Sequence, residues 1–365
     1  MKNNWVITVI IHSYNELNQY IMGKVLLVCD DSIFFLKIND YLKDKNNIIR
    51  FSEFVPNPLY ESVVKGVDIF HQENCDTILA VGGGSAIDVA KCIKLFSNMD
   101  PGENYLLQSI IPNQIPLIAV PTTAGTGSEA TQYAVVYFDG EKQSVSHYSC
   151  IPSVVLFDAS VLDTLPLYQK KCTMMDALCH SIESYWSVNS NETSKKYSES
   201  AIRIIMNNWE AYISGDNSRN ELMLQASNIA GKAINITQTT AGHAMSYKLT
   251  SLYGIAHGHA VSLCVSRIWP FMVEHMDSCI DKRGKDYLYD IFMQIAHAME
   301  CNSVRQSILK FQSMICRLGL VAPSVVNVEE YEILKESVNQ ARLKNNPVAL
   351  NKDYIEQIYY QILGE

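Results

Sequence analysis

Charge is scarce in this sequence. Only 18% of its 365 residues are Asp, Glu, Lys or Arg, while 48% are hydrophobic; ordinary soluble domains carry about 25% charged residues, so a disordered chain is excluded. The charge that is present leans acidic, with 38 carboxylates against 29 cations and a formal net charge of -9. That balance excludes nonspecific capture by nucleic acid or by an anionic membrane surface. An anionic ligand must then be met by local cations. Long apolar runs are lacking too, since none approaches the roughly 20 residues that span a bilayer. The start, MKNNWVITVIIHSYNELNQY, has its apolar stretch broken by His12 and no small-residue cleavage site, which argues against a signal peptide. The ten cysteines include no C-x-x-C pair, so reduced thiols and a cytoplasmic location are expected. There is no internal repeat and no low-complexity segment.

What is there divides in two. Through the first 160 or so residues, short apolar runs alternate with helix-like stretches: Lys24–Asp30, Thr77–Val81 and Ile115–Val120 read as buried strands. Strands spaced by helices predict crossover units and a parallel sheet, with ligands at the carboxyl ends of the strands. After Leu165-Pro166 the pattern becomes helical, through Met174–Trp186, Ser194–Ile213 and Glu221–Gln238 to the C-terminus. The expected fold is therefore an α/β domain over 1–165 followed by an all-helical domain over 166–365.

Two loops carry the signals for a phosphate-bearing ligand. Gly82-Gly83-Gly84-Ser85 follows a strand and precedes good helix formers; glycines admit close approach of backbone N–H groups to an anion, and the helix N-terminus adds a favourable dipole. Pro121-Thr122-Thr123-Ala124-Gly125-Thr126-Gly127-Ser128-Glu129 follows another strand and offers hydroxyls. Asp30, just past a strand end, can accept from an adenosine ribose and would repel a 2′-phosphate, which favours NAD over NADP. It can equally cap the turn Asp31-Ser32.

A metal reading starts from Asp176 and His180, an i, i+4 pair on one helix face. His243 and His257, each beside a glycine, would complete a set of one carboxylate and three imidazoles that suits iron, zinc or another borderline divalent ion.

At this point the sequence resembles the iron-containing (group III) alcohol dehydrogenases. The resemblance rests on G-G-G-S-x-x-D-x-A-K at 82–91, P-T-T-A-G-T-G-S-E at 121–129, D-A-L-x-H at 176–180, and the two histidines fourteen apart ending in H-G. It implies a Rossmann-like NAD(P) domain, a helical metal domain and a catalytic cleft between them, with reversible hydride transfer between NAD(H) and a small aldehyde or alcohol. By the resemblance, Asp176, His180, His243 and His257 ligate Fe2+, with Zn2+ compatible. Gly82, Gly83, Gly84 and Ser85 would serve the cofactor diphosphate, Asp88 would belong to the same cofactor-binding set, and Thr122, Thr123 and Thr126 would serve the nicotinamide side, Asp30 the ribose, and Lys142 the position of a cofactor-binding lysine. Many family members carry a histidine four residues after the third ligand. Here that position is Tyr247, so Tyr247, the extra His259 or solvent is expected to relay the proton.

Several stretches, among them Pro56–Ser62, Lys232–Thr240 and His243–Ser251, resemble the phosphonoacetaldehyde reductase branch. That likeness implies a phosphonate-bearing aldehyde, for which Lys248 and Arg342 are the candidate cations, Arg being suited to bidentate contact. Alternative readings are a small unsubstituted aldehyde or diol, a dehydroquinate synthase-like lyase on the same fold, and a metal-free structural protein. A homodimer is expected through the apolar Trp5–Ile10 segment, which otherwise leaves an exposed edge.

Overall fold

The computed structural model describes residues 8–325 and 327–364. Its strands are β1 (Val9–Ile11), β2 (Val25–Cys29), β3 (Ile48–Phe51), β4 (Thr77–Gly82), β5 (Leu117–Pro121), β6 (Tyr133–Phe138), β7 (Glu141–Ser146) and β8 (Val154–Leu156). Four α-helices lie among them: α1 (Tyr14–Leu17), α2 (Lys37–Leu42), α3 (Tyr60–Gln72) and α4 (Gly84–Phe96). Then follow α5 (Leu167–Trp186), α6 (Glu192–Ile213), α7 (Asn220–Thr237), α8 (Ala241–Tyr253), α9 (His257–Glu274), α10 (Lys285–Ala298), α11 (Val304–Leu318), α12 (Glu329–Glu336), α13 (Gln340–Leu343) and α14 (Lys352–Leu363). The chain forms two compact units. The first closes at Pro166 and takes in Asp216–Leu224; the second comprises 167–215 and the chain from 225 on.

In the first unit, six strands form a parallel sheet in the order β1-β8-β5-β4-β2-β3. β2, β4 and β5 are buried at every residue, which is why they read as continuous apolar runs and not as an alternation. From β2 the chain passes to β3 on one side and then to β4 on the other. The topological switch therefore lies between the carboxyl ends of β2 and β4, where open α/β sheets bind ligands. Asp30 and Gly82 stand at those two ends. β5 begins at Leu117 and not at Ile115, because the Ile115 carbonyl accepts from the buried Lys94 Nζ at 2.6 Å instead of joining the ladder. The antiparallel hairpin β6–β7 turns through Asp139-Gly140 at φ 51° and 76°, as an Asp-Gly dipeptide favours.

The second unit is helical throughout. Residues Met174 to Trp186 of α5 are all buried, and α5 packs against α6, α9 and α10, while α8 packs on α9. Trp186, Trp269, Phe292 and Phe311 form an edge-to-face aromatic core, with Trp186 and Trp269 centroids 5.7 Å apart. Pro270 lies inside α9 and cannot donate to the Ser266 carbonyl one turn back; Gln312 Nε2 donates to that carbonyl instead, at 3.0 Å. Among the described residues no helix is long and apolar enough to cross a membrane. Of the segment expected to mediate dimerisation, Trp5, Val6 and Ile7 lie outside the described residues; Val9–Ile11 forms β1, an edge strand of the sheet.

Candidate functional site

Within the buried stretch of α5, Asp176, His180 and Glu183 fall at i, i+4 and i+7 and so share one face. Polar groups so deeply buried must find partners. Ligand atoms of Asp176, His243 and His257 all lie within 4.8 Å of one another. His243 Nε2 is 3.5 Å and His257 Nε2 3.9 Å from Asp176 Oδ1, close to the roughly 3.4 Å between donors that a tetrahedral ion with bonds of about 2.1 Å requires. Asp176 Oδ1 and His243 Nε2 are buried with no hydrogen-bond partner. Orphaned atoms facing one another in this way fit a cation held between them. His180 stands beside the three without joining their 4.8 Å set: its ring is stacked on that of His243, centroids 4.4 Å apart.

The electrostatics agree with that fit. Burial acts to raise the Asp176 pKa, but the charge of His180, the close approach of His243 and the charge of His257 outweigh it and hold the carboxyl below the usual range. For His243, burial acts to lower the pKa; the charge of Glu183 and the contacts with Asp176 win, and it is pushed up to about 10. Two buried carboxylates flank this imidazole, so the spot demands positive charge, from a proton on His243 or from a divalent ion.

Glu183 is the residue that sequence reasoning missed. It is fully buried and bonds His243 Nδ1. The available signal was its place seven residues after Asp176, on the same helix face.

Backbone packing explains how distant histidines reach α5. At Gly242 a Cβ would stand 2.6 Å from Val265 Cγ2 and 3.0 Å from Glu183 Oε1. Only a residue without a side chain lets the start of α8 come so close.

The two candidate proton carriers are separated. Tyr247 lies parallel to His257 with centroids 5.5 Å apart. His259 is two residues past His257, which turns it to another face of α9; its Nδ1 is 3.1 Å from the Tyr168 hydroxyl, and that hydroxyl accepts from Ala256 N at 3.1 Å. Burial pushes the His259 pKa below its ordinary value. Of the candidate substrate cations, Arg342 sits with its guanidinium carbon 5.8 Å from the Tyr247 ring centroid and donates to Thr239 Oγ1 at 2.9 Å. Lys248 follows Tyr247 on α8, half-buried, about 100° round the helix from it.

In the first unit the two loops adjoin. Thr122 N donates to Gly82 O at 3.0 Å, and Cβ atoms at Gly83 and Gly84 would meet Thr123 at 3.3 Å and Thr126 at 2.9 Å. The threonine loop thus lies against the glycines that open α4, with Ser85 in that helix's first turn. Fully buried Lys91 fastens the loop: its Nζ donates to Ser128 O at 2.6 Å and Tyr133 O at 2.7 Å. Asp88 has both carboxylate oxygens engaged, accepting from Ser128 Oγ at 2.6 Å and Val135 N at 3.0 Å, so it holds the loop. Burial raises its pKa, against the charges of Lys91 and, more weakly, Lys142, which places Lys142 of β7 in the same neighbourhood. Asp30 is exposed and accepts from Ser32 N at 2.8 Å, so it does cap the turn over Asp31–Phe35.

Comparison with known proteins follows the same division. The family model described as iron-containing alcohol dehydrogenase matches residues 8–159, and that of the Fe-containing alcohol dehydrogenase family C-terminal region matches 171–363. Aldehyde-alcohol dehydrogenase 2 of Entamoeba histolytica is 28% identical over 68% of this chain, which spans only 31% of that protein. Phosphonoacetaldehyde reductase of Streptomyces viridochromogenes is 27% identical over 80% of this chain and 76% of its own. The crystal structure of an iron-containing alcohol dehydrogenase from Thermotoga maritima superposes with a TM-score of 0.81 at 26% identity, covering 98% of both chains. With both halves of the sequence matched and the fold shared throughout, this chain belongs to the iron-containing alcohol dehydrogenase family.

Proposed function

We propose that this protein reduces a small aldehyde bearing an anionic group at the expense of NADH, with phosphonoacetaldehyde and 2-hydroxyethylphosphonate as the substrate and product. The observation that carries the reading is Arg342 held over Tyr247, itself stacked on His257: a guanidinium one aromatic ring away from the metal-ligand cluster. A dianion attached one carbon from a carbonyl needs such a donor, and in an acidic protein it must be local. The likeness to the Streptomyces viridochromogenes reductase supports the same substrate class.

Asp176, His180, His243 and His257 would hold the ion, Fe2+ by family, with Zn2+ suited to the same donors. When bound, such an ion supplies Lewis-acid polarisation of the carbonyl, and the nicotinamide cofactor supplies the hydride. Gly82, Gly83, Gly84 and Ser85 present backbone N–H groups and the α4 dipole to the diphosphate. Thr122, Thr123 and Thr126 meet the nicotinamide side, Asp30 the ribose, and Lys142 adds positive charge nearby; Asp88 positions the loop. Tyr247 carries the proton to the product oxygen, and His259, bonded to Tyr168, steadies the entry to α9. Arg342 orients the phosphonate and Lys248 adds attraction at longer range.

All ten cysteines are free thiols, in keeping with the cytoplasm as its compartment, and the β1 edge is the place where a second copy would join in a homodimer. The deciding experiment is an NADH-coupled panel of aldehydes that includes phosphonoacetaldehyde. Phosphonoacetaldehyde should give the highest kcat/KM; equal values for acetaldehyde or propanal would favour the unsubstituted-aldehyde reading instead.

A further inference from the structure

Taking Asp176, His180, His243 and His257 as the metal ligands, a reading on which this rests, we propose that Glu183 is a positioning residue that fixes the tautomer of His243 and thereby sets metal affinity. Glu183 Oε2 is hydrogen-bonded to His243 Nδ1. Its Oε1 accepts from Thr240 N at 3.1 Å, Thr240 Oγ1 at 2.6 Å and His243 N at 3.3 Å. The two backbone donors are among those that the start of α8 would leave orphaned. One carboxylate therefore ties the helix bearing His243 to the helix bearing Asp176 and, in the same contact, fixes the rotation of the imidazole.

The tautomer follows from donor counting. An ionised carboxylate only accepts, and a neutral imidazole has one N–H. Nδ1 must be the protonated nitrogen, so Nε2 presents its lone pair towards Asp176 Oδ1, 3.5 Å away. A metal ligand needs that lone pair, and a partner on the far ring nitrogen is the usual device for securing it.

Glu183→Gln keeps the volume and inverts the logic. With the amide nitrogen towards His243, the ring is driven to the Nε2–H tautomer, which cannot bind metal. Turned round, the amide nitrogen faces the N–H groups of Thr240 and His243, donor against donor. Both orientations penalise the metal-competent state.

The test is Zn2+ affinity of the full chain, measured by competition with a chromophoric chelator, alongside near-UV circular dichroism and melting of the metal-free protein. Glu183→Gln is expected to bind Zn2+ about 10- to 100-fold more weakly while the metal-free protein keeps its folded spectrum. Glu183→Asp keeps the charge, shortens the reach by one methylene and decides the matter if Glu183→Gln does not fold; a loss of the same order is expected. Unchanged affinity in the folded variant overturns the role of Glu183. Failure of the unaltered protein to bind one equivalent of Zn2+ overturns the ligand assignment, and the positioning role with it.

Discussion

Gly258 lies against Cys172 so closely that no side chain fits between them: a Cβ at 258 would overlap the Cys172 carbonyl and come within 2.8 Å of Asp176 Cβ. The obstacle is backbone, so it cannot swing aside. Gly258 is also the second residue of α9, directly after His257. Gly258→Ala is expected to push the start of α9 off α5, destabilise by about 1–3 kcal/mol, and carry His257 away from Asp176. Gly254→Ala is the contrast. Its φ of 64° makes alanine strained while nothing stands within 4 Å, so it should cost roughly 1 kcal/mol and leave metal binding alone. Melting curves with and without Zn2+ separate the two; equal Zn2+ responses would contradict the packing argument.

Metal removal has a definite signature. An ion that binds only the folded state stabilises it by about 2.7 kcal/mol at a hundred times its Kd, so Zn2+ or Fe2+ should raise the melting temperature and chelator should reverse the rise. Of the proposed ligands His257 is the best to delete, because its side chain is 35% exposed and Asp176 keeps His243 and His180 beside it. His243→Ala, by contrast, removes the partner of Glu183 and should destabilise the metal-free protein by about 3 kcal/mol. His257→Ala is expected to abolish the metal-induced shift with little change in the metal-free melting temperature. Retention of the full shift in His257→Ala would remove it from the ligand set.

How much of this was legible in the sequence depends on how local the physics is. Gly82 to Ser85 could be read because strand, glycines and helix start are contiguous, and Asp176 with His180 because one helix face holds both. Glu183 could not, since its partner His243 is 60 residues away, and a buried Glu in a helical pattern looks like any other Glu. Nor could the bond that holds Asp88, since the hydroxyl on its carboxylate comes from Ser128, 40 residues on. His259 and His257 are neighbours in sequence, and helix geometry alone sends them to different partners. The Asp139-Gly140 turn was legible by its dipeptide and went unread as a hairpin.

The thiols give an independent check on the core. Eight of the ten cysteines are buried, Cys279 is half-buried and Cys316 is exposed. Burial pushes the pKa values of Cys92, Cys179 and Cys264 well above the ordinary thiol range, and a thiol that is neither ionised nor accessible does not alkylate. Iodoacetamide at pH 8 should label Cys316 first, Cys279 more slowly, and the others only in denaturant. Intact-protein and peptide mass spectrometry count the modifications. Rapid native labelling of Cys179, which precedes His180 on α5, would mean that α5 is not buried as described.

On the proposed phosphonate reading, substrate choice comes down to Arg342. A hydrogen bond to a charged group contributes about 1.5–3 kcal/mol, so Arg342→Ala should lower kcat/KM for phosphonoacetaldehyde roughly ten- to a hundredfold and leave propanal nearly unaffected. Arg342→Lys keeps the charge without the planar fork and should recover only part of the loss. Lys248→Ala should cost less, because α8 turns Lys248 away from the face that carries Tyr247. Tyr247→Phe acts differently. It keeps a ring to stack on His257 and under Arg342 but removes the phenol, so kcat should fall for both aldehydes alike, with a changed pH profile. A parallel loss on both aldehydes in Arg342→Ala would make Arg342 a support for Tyr247 and not a phosphonate contact, and the substrate assignment would fall with it.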